Sequence, residues 1–338
     1  MSIGRRNLQV ERIGEAAAAM KTQERVVTIG IPTFNRAGYV VRAIESVLAQ
    51  TYSDIRVVVS DNASADDTQS KVSAIRDPRL LYVRQETNIG MVGNFNACLF
   101  RAEGEFFLLL SDDDFLDPDA VASLVKPFLE GMPGAVATDI GAVWCPVRVV
   151  NAESRVQWIT ASGPLLESGL ELVVGLFRGK RGPRLCSMLI RTADAMKVGG
   201  YAPEHGPICD VGNWSRIAVG YRFAACIQQP LSNYTVHQQS ITSEPQGELW
   251  QRSGERVCHD LVALLASKGQ HEQAKAIQRA GNANVTNLLV TVMMQHIGRP
   301  GWMIYWLQEI FRAPRFFFNS TVFRRLLTDG WKIMRQVF

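Results

Sequence analysis

Three consecutive carboxylates, Asp112-Asp113-Asp114, follow the apolar run Phe106-Phe107-Leu108-Leu109-Leu110 across a single serine, Ser111. The run reads as a buried strand, and like charges crowded at its end repel one another and lose solvation. A cation resolves that conflict. Carboxylate oxygens are hard ligands suited to Mg²⁺ or Mn²⁺, which complete their shells with water and phosphate oxygens. The plainer alternative is an Asp-rich turn capping a helix that begins near Pro118. Asp117 and Asp119 already stand at that cap, which leaves the triplet for metal and phosphate.

The elements that must hold this triplet alternate in type. Val26 to Ile31 is a β-branched run ending at Pro32, and Val40 to Gln50 repeats apolar residues at helical spacing. Ile55 to Val59 is a second strand, closed by Ser60-Asp61-Asn62-Ala63-Ser64. A helix over Thr68 to Ile75, a strand over Leu80 to Val83, a helix over Asn94 to Ala102 and a strand over Glu105 to Leu110 follow. Short apolar strands alternating with helices predict a mostly parallel α/β sheet covered on both faces. Ligands of such sheets lie beyond the carboxyl ends of the strands. Those ends carry Pro32-Thr33-Phe34-Asn35-Arg36, Ser60-Asp61-Asn62 and the Asp triplet, so three polar clusters converge on one rim.

Other classes are disfavoured. No Gly-x-Gly-x-x-Gly follows the first strand and no Gly-Lys-Ser/Thr occurs, against a dinucleotide dehydrogenase or a P-loop enzyme. The net charge of +4 is too small an excess to imply a nucleic-acid partner. The six cysteines show no Cys-x-x-Cys pair, against zinc ribbons and thioredoxin-like motifs, and their scatter suits free thiols in a reducing compartment. No apolar stretch reaches the roughly 18 residues of a spanning helix, and the N-terminus lacks the apolar core of a secretory signal. The expected location is cytoplasmic, with contact at the inner face of the cell membrane.

The second half mixes strands and helices. Residues 135–158 are strand-rich, 165–177 read as a helix, and Arg178-Gly179-Lys180-Arg181-Gly182-Pro183-Arg184 is a basic loop, either a solvated turn or a mobile loop near phosphates. Asp210 lies in a loop ahead of a helix through Trp214, and Leu231 to Val236 is a short strand leading to His237. From Trp302 the chain interleaves aromatic and basic residues. Residues 302–335 suit a helix in the headgroup layer of an anionic membrane, or a helical cap or oligomer contact. The expected organisation is a lead-in over 1–24, a catalytic domain over 25–245 and a helical extension over 246–338.

From about Val26 to Thr242 the chain resembles a family-2 glycosyltransferase of GT-A fold. The residues carrying the resemblance are Val27 to Arg36, Ser46 to Tyr52, Val59 to Thr68, Asn88-Ile89-Gly90, Ala102-Glu103-Gly104-Glu105, the Asp triplet, Cys209 to Arg216 and Tyr234 to Ser240. Each is modest alone; the ordered set is specific.

The resemblance implies inverting transfer of a sugar from a nucleotide diphosphate donor, UDP or dTDP in preference to GDP, to a saccharide or lipid-linked saccharide in surface-polysaccharide synthesis. Pro32, Thr33, Asn35, Arg36, Asn88 and Gly90 fall in its donor-binding segments. Asp61 would accept from the pyrimidine N–H, a task suited to an acceptor-only carboxylate. Counting back from Pro118 places the metal-binding carboxylate at Asp113 and the following acid at Asp114, and Asp113, Asp114 and His237 are the expected ligands of Mn²⁺ or Mg²⁺. Asp112 then contacts the ribose, and Ser111 replaces the motif's first Asp. A register using Asp112 and Asp114 stays open. Asp210 maps onto the catalytic base, with Cys209 in place of the usual Glu. The competing readings are a metal-dependent sugar nucleotidyltransferase, disfavoured by the missing Gly-rich basic loop, and a non-catalytic, membrane-recruited nucleotide-sugar-binding protein.

Overall fold

The computed structural model describes residues 25–237 and 247–281. The chain enters along β1 (Val27–Thr33), turns into α1 (Ala37–Leu48), and repeats the unit as β2 (Ile55–Asp61), α2 (Thr68–Ala74), β3 (Leu80–Arg84), α3 (Gly90–Leu99) and β4 (Phe106–Leu109). β1 pairs in parallel with β2 and β4, and β2 with β3, as helical crossovers between strands require. Then come β5 (Phe115–Leu116), α4 (Ala120–Glu130), β6 (Ile140–Trp144), β7 (Val147–Val150), β8 (Val156–Ile159), β9 (Leu166–Ser168), α5 (Gly169–Phe177), β10 (Met188–Arg191), α6 (Thr192–Lys197), α7 (Cys209–Ala218), β11 (Phe223–Cys226), β12 (Ser232–Thr235) and α8 (Gly247–Ser267).

The main sheet has eight strands in the order β3-β2-β1-β4-β10-β6-β11-β9. Its parallel character breaks at β10, which runs antiparallel between β4 and β6, and at the edge strand β9. A smaller sheet, β5-β12-β7-β8, stands beside it. Period-two alternation splits the core. Phe106, Leu108 and Leu110 join Ile29, Ile31, Val57 and Val59 under α1 and α4, whereas Phe107 and Leu109 face α3, α5 and α7 on the other side. The second cluster also takes in Val257, Leu261 and Leu265 of α8 and Ala274, Ile277 and Ala280, so the described part of the C-terminal extension packs on the catalytic body.

Several boundaries differ from the sequence reading for physical reasons. β1 does not stop at Pro32. β4 pairs with β1 only as far as Gly30, so the missing proline N–H interrupts no ladder there. The expected helix over 165–177 starts later, at Gly169. Leu166–Ser168 is a strand paired to β11, and a capping box fixes the switch: Ser168 Oγ accepts from Glu171 N, and Glu171 returns a bond to Ser168 N. Asp210 is not in a loop but in the first turn of α7. Neither Asp117 nor Asp119 caps α4 with its side chain: Asp119 accepts from Thr51 Oγ1, and Asp117 pairs with Arg148 and Asn233. The readings for 1–24 and 302–335 lie outside the described residues. No helix among the described residues is long and apolar enough to cross a membrane.

Candidate active site

The carboxyl ends of β1 and β4 meet through side chains. Thr33 Oγ1 donates to Asp112 Oδ2 at 2.7 Å. Arg36 lies in the turn between β1 and α1, and its Nη1 bridges Asp112 Oδ1 at 3.2 Å and Asp113 Oδ2 at 2.7 Å. His237, just past β12, brings Nε2 to 2.8 Å from the same Asp113 Oδ2. The His237 ring stacks on Tyr39 with centroids 4.9 Å apart and planes 11° from parallel. Arg42 closes the arrangement from α1. Its Nη2 donates to Asp113 O and Thr235 Oγ1, its Nη1 to Ser154 Oγ, and its guanidinium covers the Phe115 ring.

The three adjacent carboxylates have three environments. Burial and the neighbouring Asp113 charge push Asp112 up. Burial also penalises Asp113, but the His237 hydrogen bond and the Arg36 charge outweigh it and hold its carboxyl below the ordinary value. Asp114 turns inward. Its Oδ1 accepts from Thr235 N at 2.8 Å, and burial, then Asp113, raise it well above the usual range. The repulsion that called for a cation is thus met in the protein itself by the Arg36 guanidinium.

The donor chemistry at Asp113 and His237, one carboxylate oxygen and one imidazole nitrogen, fits Mn²⁺ more readily than the oxygen-preferring Mg²⁺. Asp114 does not converge with them, and no cage of three or more His, Cys, Asp or Glu side chains forms among the described residues.

The end of β2 forms a second polar cluster. Asp61 is fully buried: Oδ1 accepts from Ser64 N, Oδ2 from the Tyr82 hydroxyl, and Arg84 Nε approaches to 3.9 Å. The turn after β1 clasps the turn after β2. Asn35 N donates to Ser64 Oγ and Asn35 Oδ1 accepts from Ala65 N, with Asn35 in the left-handed region at φ 53°. Asp66 Oδ2 takes the Ala37 N–H at the start of α1. Asn88 Oδ1 accepts from Gly90 N and Asn62 Nδ2, and Gly90 has φ 77°.

Asp210 stands apart from the triplet, at the start of α7, with part of its edge reaching solvent. Burial pushes its carboxyl up to about 6, against the opposing pull of the Val211 N–H and the Arg184 charge. The basic loop 178–184 is pinned by Arg181, which forks onto Glu167. Arg184 at its end lies over the Tyr234 ring, 5.8 Å from the centroid. Strand β12 carries Tyr234 under Arg184, and His237, three residues on, bonds Asp113.

The structure brings Thr33, Arg36, Asp112, Asp113 and His237 into direct contact; Pro32, Asn35, Asp61, Asn88 and Gly90 stand at or beside the ends of β1 and β2 and the start of α3; Asp114 turns into the core, and Asp210 stands in the first turn of α7. Sequence reasoning missed Tyr39, Arg42, Tyr82 and Arg84, and named Arg184 only as part of the basic loop. Arg36, just ahead of α1, and Tyr39 and Arg42 in its first turns recur every three residues, a spacing that was readable. Tyr82 and Arg84 reach Asp61 only through strand pairing, which local spacing does not encode.

Residues 28–155 match the sequence model described as Glycosyl transferase family 2. The chain is 39% identical over 100 residues to the succinoglycan biosynthesis protein ExoO of Rhizobium meliloti, a match covering 30% of this chain and 29% of that protein. It is 38% identical over 108 residues to a GalNAc(5)-diNAcBac-PP-undecaprenol beta-1,3-glucosyltransferase of Campylobacter jejuni, covering 31% and 35%. The matches thus span about a third of these relatives. Among solved structures, S. aureus TarS 1-349 in complex with UDP-GlcNAc superposes with a TM-score of 0.57 at 16% identity, over 82% of this chain and 75% of that one. The mannosyltransferase PcManGT of Pyrobaculum calidifontis in complex with GDP-Man and Mn²⁺ gives 0.50 at 17% identity, over 92% and 87%. Residues 28–155 thus carry a sequence similar to glycosyl transferase family 2, set in a sheet of GT-A fold.

Proposed function

We propose that the protein transfers a sugar, with inversion, from a UDP- or dTDP-sugar to a hydroxyl of a saccharide or lipid-linked saccharide acceptor in cell-surface polysaccharide synthesis. The observation that carries this reading is a pair of centres: a cationic and carboxylate cluster at Asp112, Asp113, Arg36 and His237, and a raised carboxyl at Asp210. One suits a diphosphate and the other suits a proton. The Campylobacter relative, whose name specifies an undecaprenol-linked substrate, supports the lipid-linked form of the acceptor. The nucleotide-sugar complexes of similar fold support the donor class.

In this mechanism Asp210 takes the proton of the acceptor hydroxyl as that oxygen bonds to the anomeric carbon. The sugar–phosphate bond breaks on the opposite face, and its electron pair leaves with the diphosphate. Arg36 would screen the departing charge, and Asp112, held by Thr33 and Arg36, would meet the donor ribose. Asp113 and His237 would hold a divalent cation, which supplies further screening of the diphosphate. Around Asp61, the clasped turns fix the base pocket before donor arrives, so less ordering remains on binding.

A thermal-shift panel of UDP-, dTDP- and GDP-sugars with and without Mn²⁺ tests the reading. A pyrimidine-sugar should raise Tm, and EDTA or Asp113→Ala should remove most of that rise. No response to any nucleotide sugar, together with no release of nucleoside diphosphate on incubation, would overturn it.

A further inference from the structure

Helix α8 buries the apolar stripe Val257, Leu261 and Leu265 against the catalytic body. That stripe is enough to dock a helix. Beside it α8 makes a polar contact that docking does not need. Asp260 Oδ2 lies 3.0 Å from Nε2 of His205, which is 1% exposed and belongs to the 3₁₀ segment Pro203–Ile208. Arg256 and His259 on α8 itself bond the same carboxylate. The other ring nitrogen, His205 Nδ1, is buried with no hydrogen-bond partner among the described residues. A half-satisfied imidazole stabilises a core less than an apolar side chain of its size, so stability does not account for it.

Its position accounts for it. The segment Pro203–Ile208 runs without a break into α7, whose first turn carries Asp210. The His205 ring lies against that helix: a Cβ on Gly212, two residues past Asp210, would overlap Nδ1. The ring is therefore wedged between the start of α7 and Asp260 of α8. Gly206 beside it lies in the left-handed region at φ 52°, and a Cβ there would stand 2.6 Å from Ser253 Oγ of α8. Helix α8 thus packs on the bend that enters α7 as well as on the ring. The later turns of α7 are tied elsewhere: Asn213 donates to Gly200 O, and Arg216 to Val198 O and Gly200 O. The first turn lacks a side-chain cap, Ile208 standing at the N-cap position. Its placement falls to the buried Ile208 and Cys209 and to the bend that α8 holds.

We propose that His205 and Asp260 are positioning residues for Asp210, through which the docking of α8 sets the carboxyl that takes the acceptor's proton. This role presupposes the glycosyl transfer inferred above and gives the C-terminal extension a part in it.

Two measurements on the full chain test it. Hydrogen exchange reads the start of α7 without substrate. Release of nucleoside diphosphate from UDP-glucose, UDP-N-acetylglucosamine and dTDP-glucose, with water as acceptor, reads the reaction. His205→Leu removes the bond to Asp260 at similar volume, and His205→Gln keeps an N–H for it. Val125→Ala in α4, in the core on the opposite face of the sheet, controls for lost stability. Thermal unfolding shows that each variant is folded; should His205→Leu not fold, Asp260→Asn is read in its place. His205→Leu should quicken exchange at residues 209–214, leave α3 unchanged, and lower kcat roughly tenfold at unchanged donor KM. Its pH limb should move to lower pH, because a carboxyl less well buried titrates nearer its ordinary value. His205→Gln should restore most of the rate, and Val125→Ala should change neither the exchange at 209–214 nor the limb. Wild-type exchange at 209–214 in His205→Leu overturns the coupling. So does a rate loss no greater than that of Val125→Ala, or a His205→Gln variant as slow as His205→Leu. Absence of release by the wild type from every donor counts against the transfer reaction, and exchange at 209–214 then decides by itself whether α8 holds the start of α7.

Discussion

Asp210 is a carboxyl held near neutrality by burial, at about 6, with Arg184 pulling the other way. A general base works in its deprotonated form, so transfer should rise with pH through about 6 and level off above it. Arg184→Gln removes the opposing charge and should move that limb to higher pH, which a pH–rate profile with saturating donor reads directly. Asp210→Asn should lower kcat by roughly 10²- to 10⁴-fold while the UDP-induced rise in Tm stays; near-normal turnover would end the base assignment. At this scale the sequence identified which residue types could do chemistry, but not their states. Asp112, Asp113 and Asp114 are chemically identical neighbours. One is raised beside Arg36, one is lowered by Arg36 and His237, and one is turned into the core, because partners 76 to 124 residues away in sequence reach them differently.

The elements show which local signals survive folding. The alternating runs from β1 to β4 were legible because each buries a period-two or helical stripe. The switch from β9 to α5 was not, because Leu166–Ser168 continues the apolar pattern of the helix and is a strand only by pairing with β11. Close approach of elements is equally non-local. Gly30 in β1 lies under α3, where an added Cβ would stand 2.7 Å from Cys98 Cβ and 3.0 Å from the Phe107 ring. Gly30→Ala should therefore cost about 1–3 kcal/mol, measured as a lower urea midpoint at unchanged slope. An unchanged midpoint would mean that α3 can move away freely. Arg36 ahead of α1 and Tyr39 and Arg42 on it reach Asp113, His237 and Thr235, so the helix that covers one core also carries charge to the site.

Across the whole molecule, two cores on opposite faces of one sheet hold the rim between them, and α8 belongs to the second. His205, buried in the 3₁₀ segment Pro203–Ile208 ahead of α7, bonds Asp260 of α8 at 3.0 Å. Burial raises the Asp260 carboxyl, but hydrogen bonds from His205, His259 and Arg256 outweigh it and leave it below its ordinary value. A depressed carboxyl contributes stability above its unfolded value and loses it as pH falls through the folded one. Asp260→Asn should thus lower Tm at neutral pH by the equivalent of roughly 1 kcal/mol or less, and the difference from wild type should vanish in acid. Hydrogen exchange over residues 250–265 should quicken in the variant; unchanged protection would show that α8 is held by its apolar face alone.

The amino-acid sequence by itself determined the α/β alternation, the mostly parallel sheet and the three polar clusters at its carboxyl rim, because hydrophobic period and strand ends are local properties. Only the tertiary structure decided that Arg36 bridges the Asp pair, that Asp114 faces inward, and that Tyr234 lies under Arg184 while His237 reaches Asp113. Those outcomes depend on strand order and on contacts between distant segments, where the same side chain takes a different charge and orientation according to what the fold sets beside it.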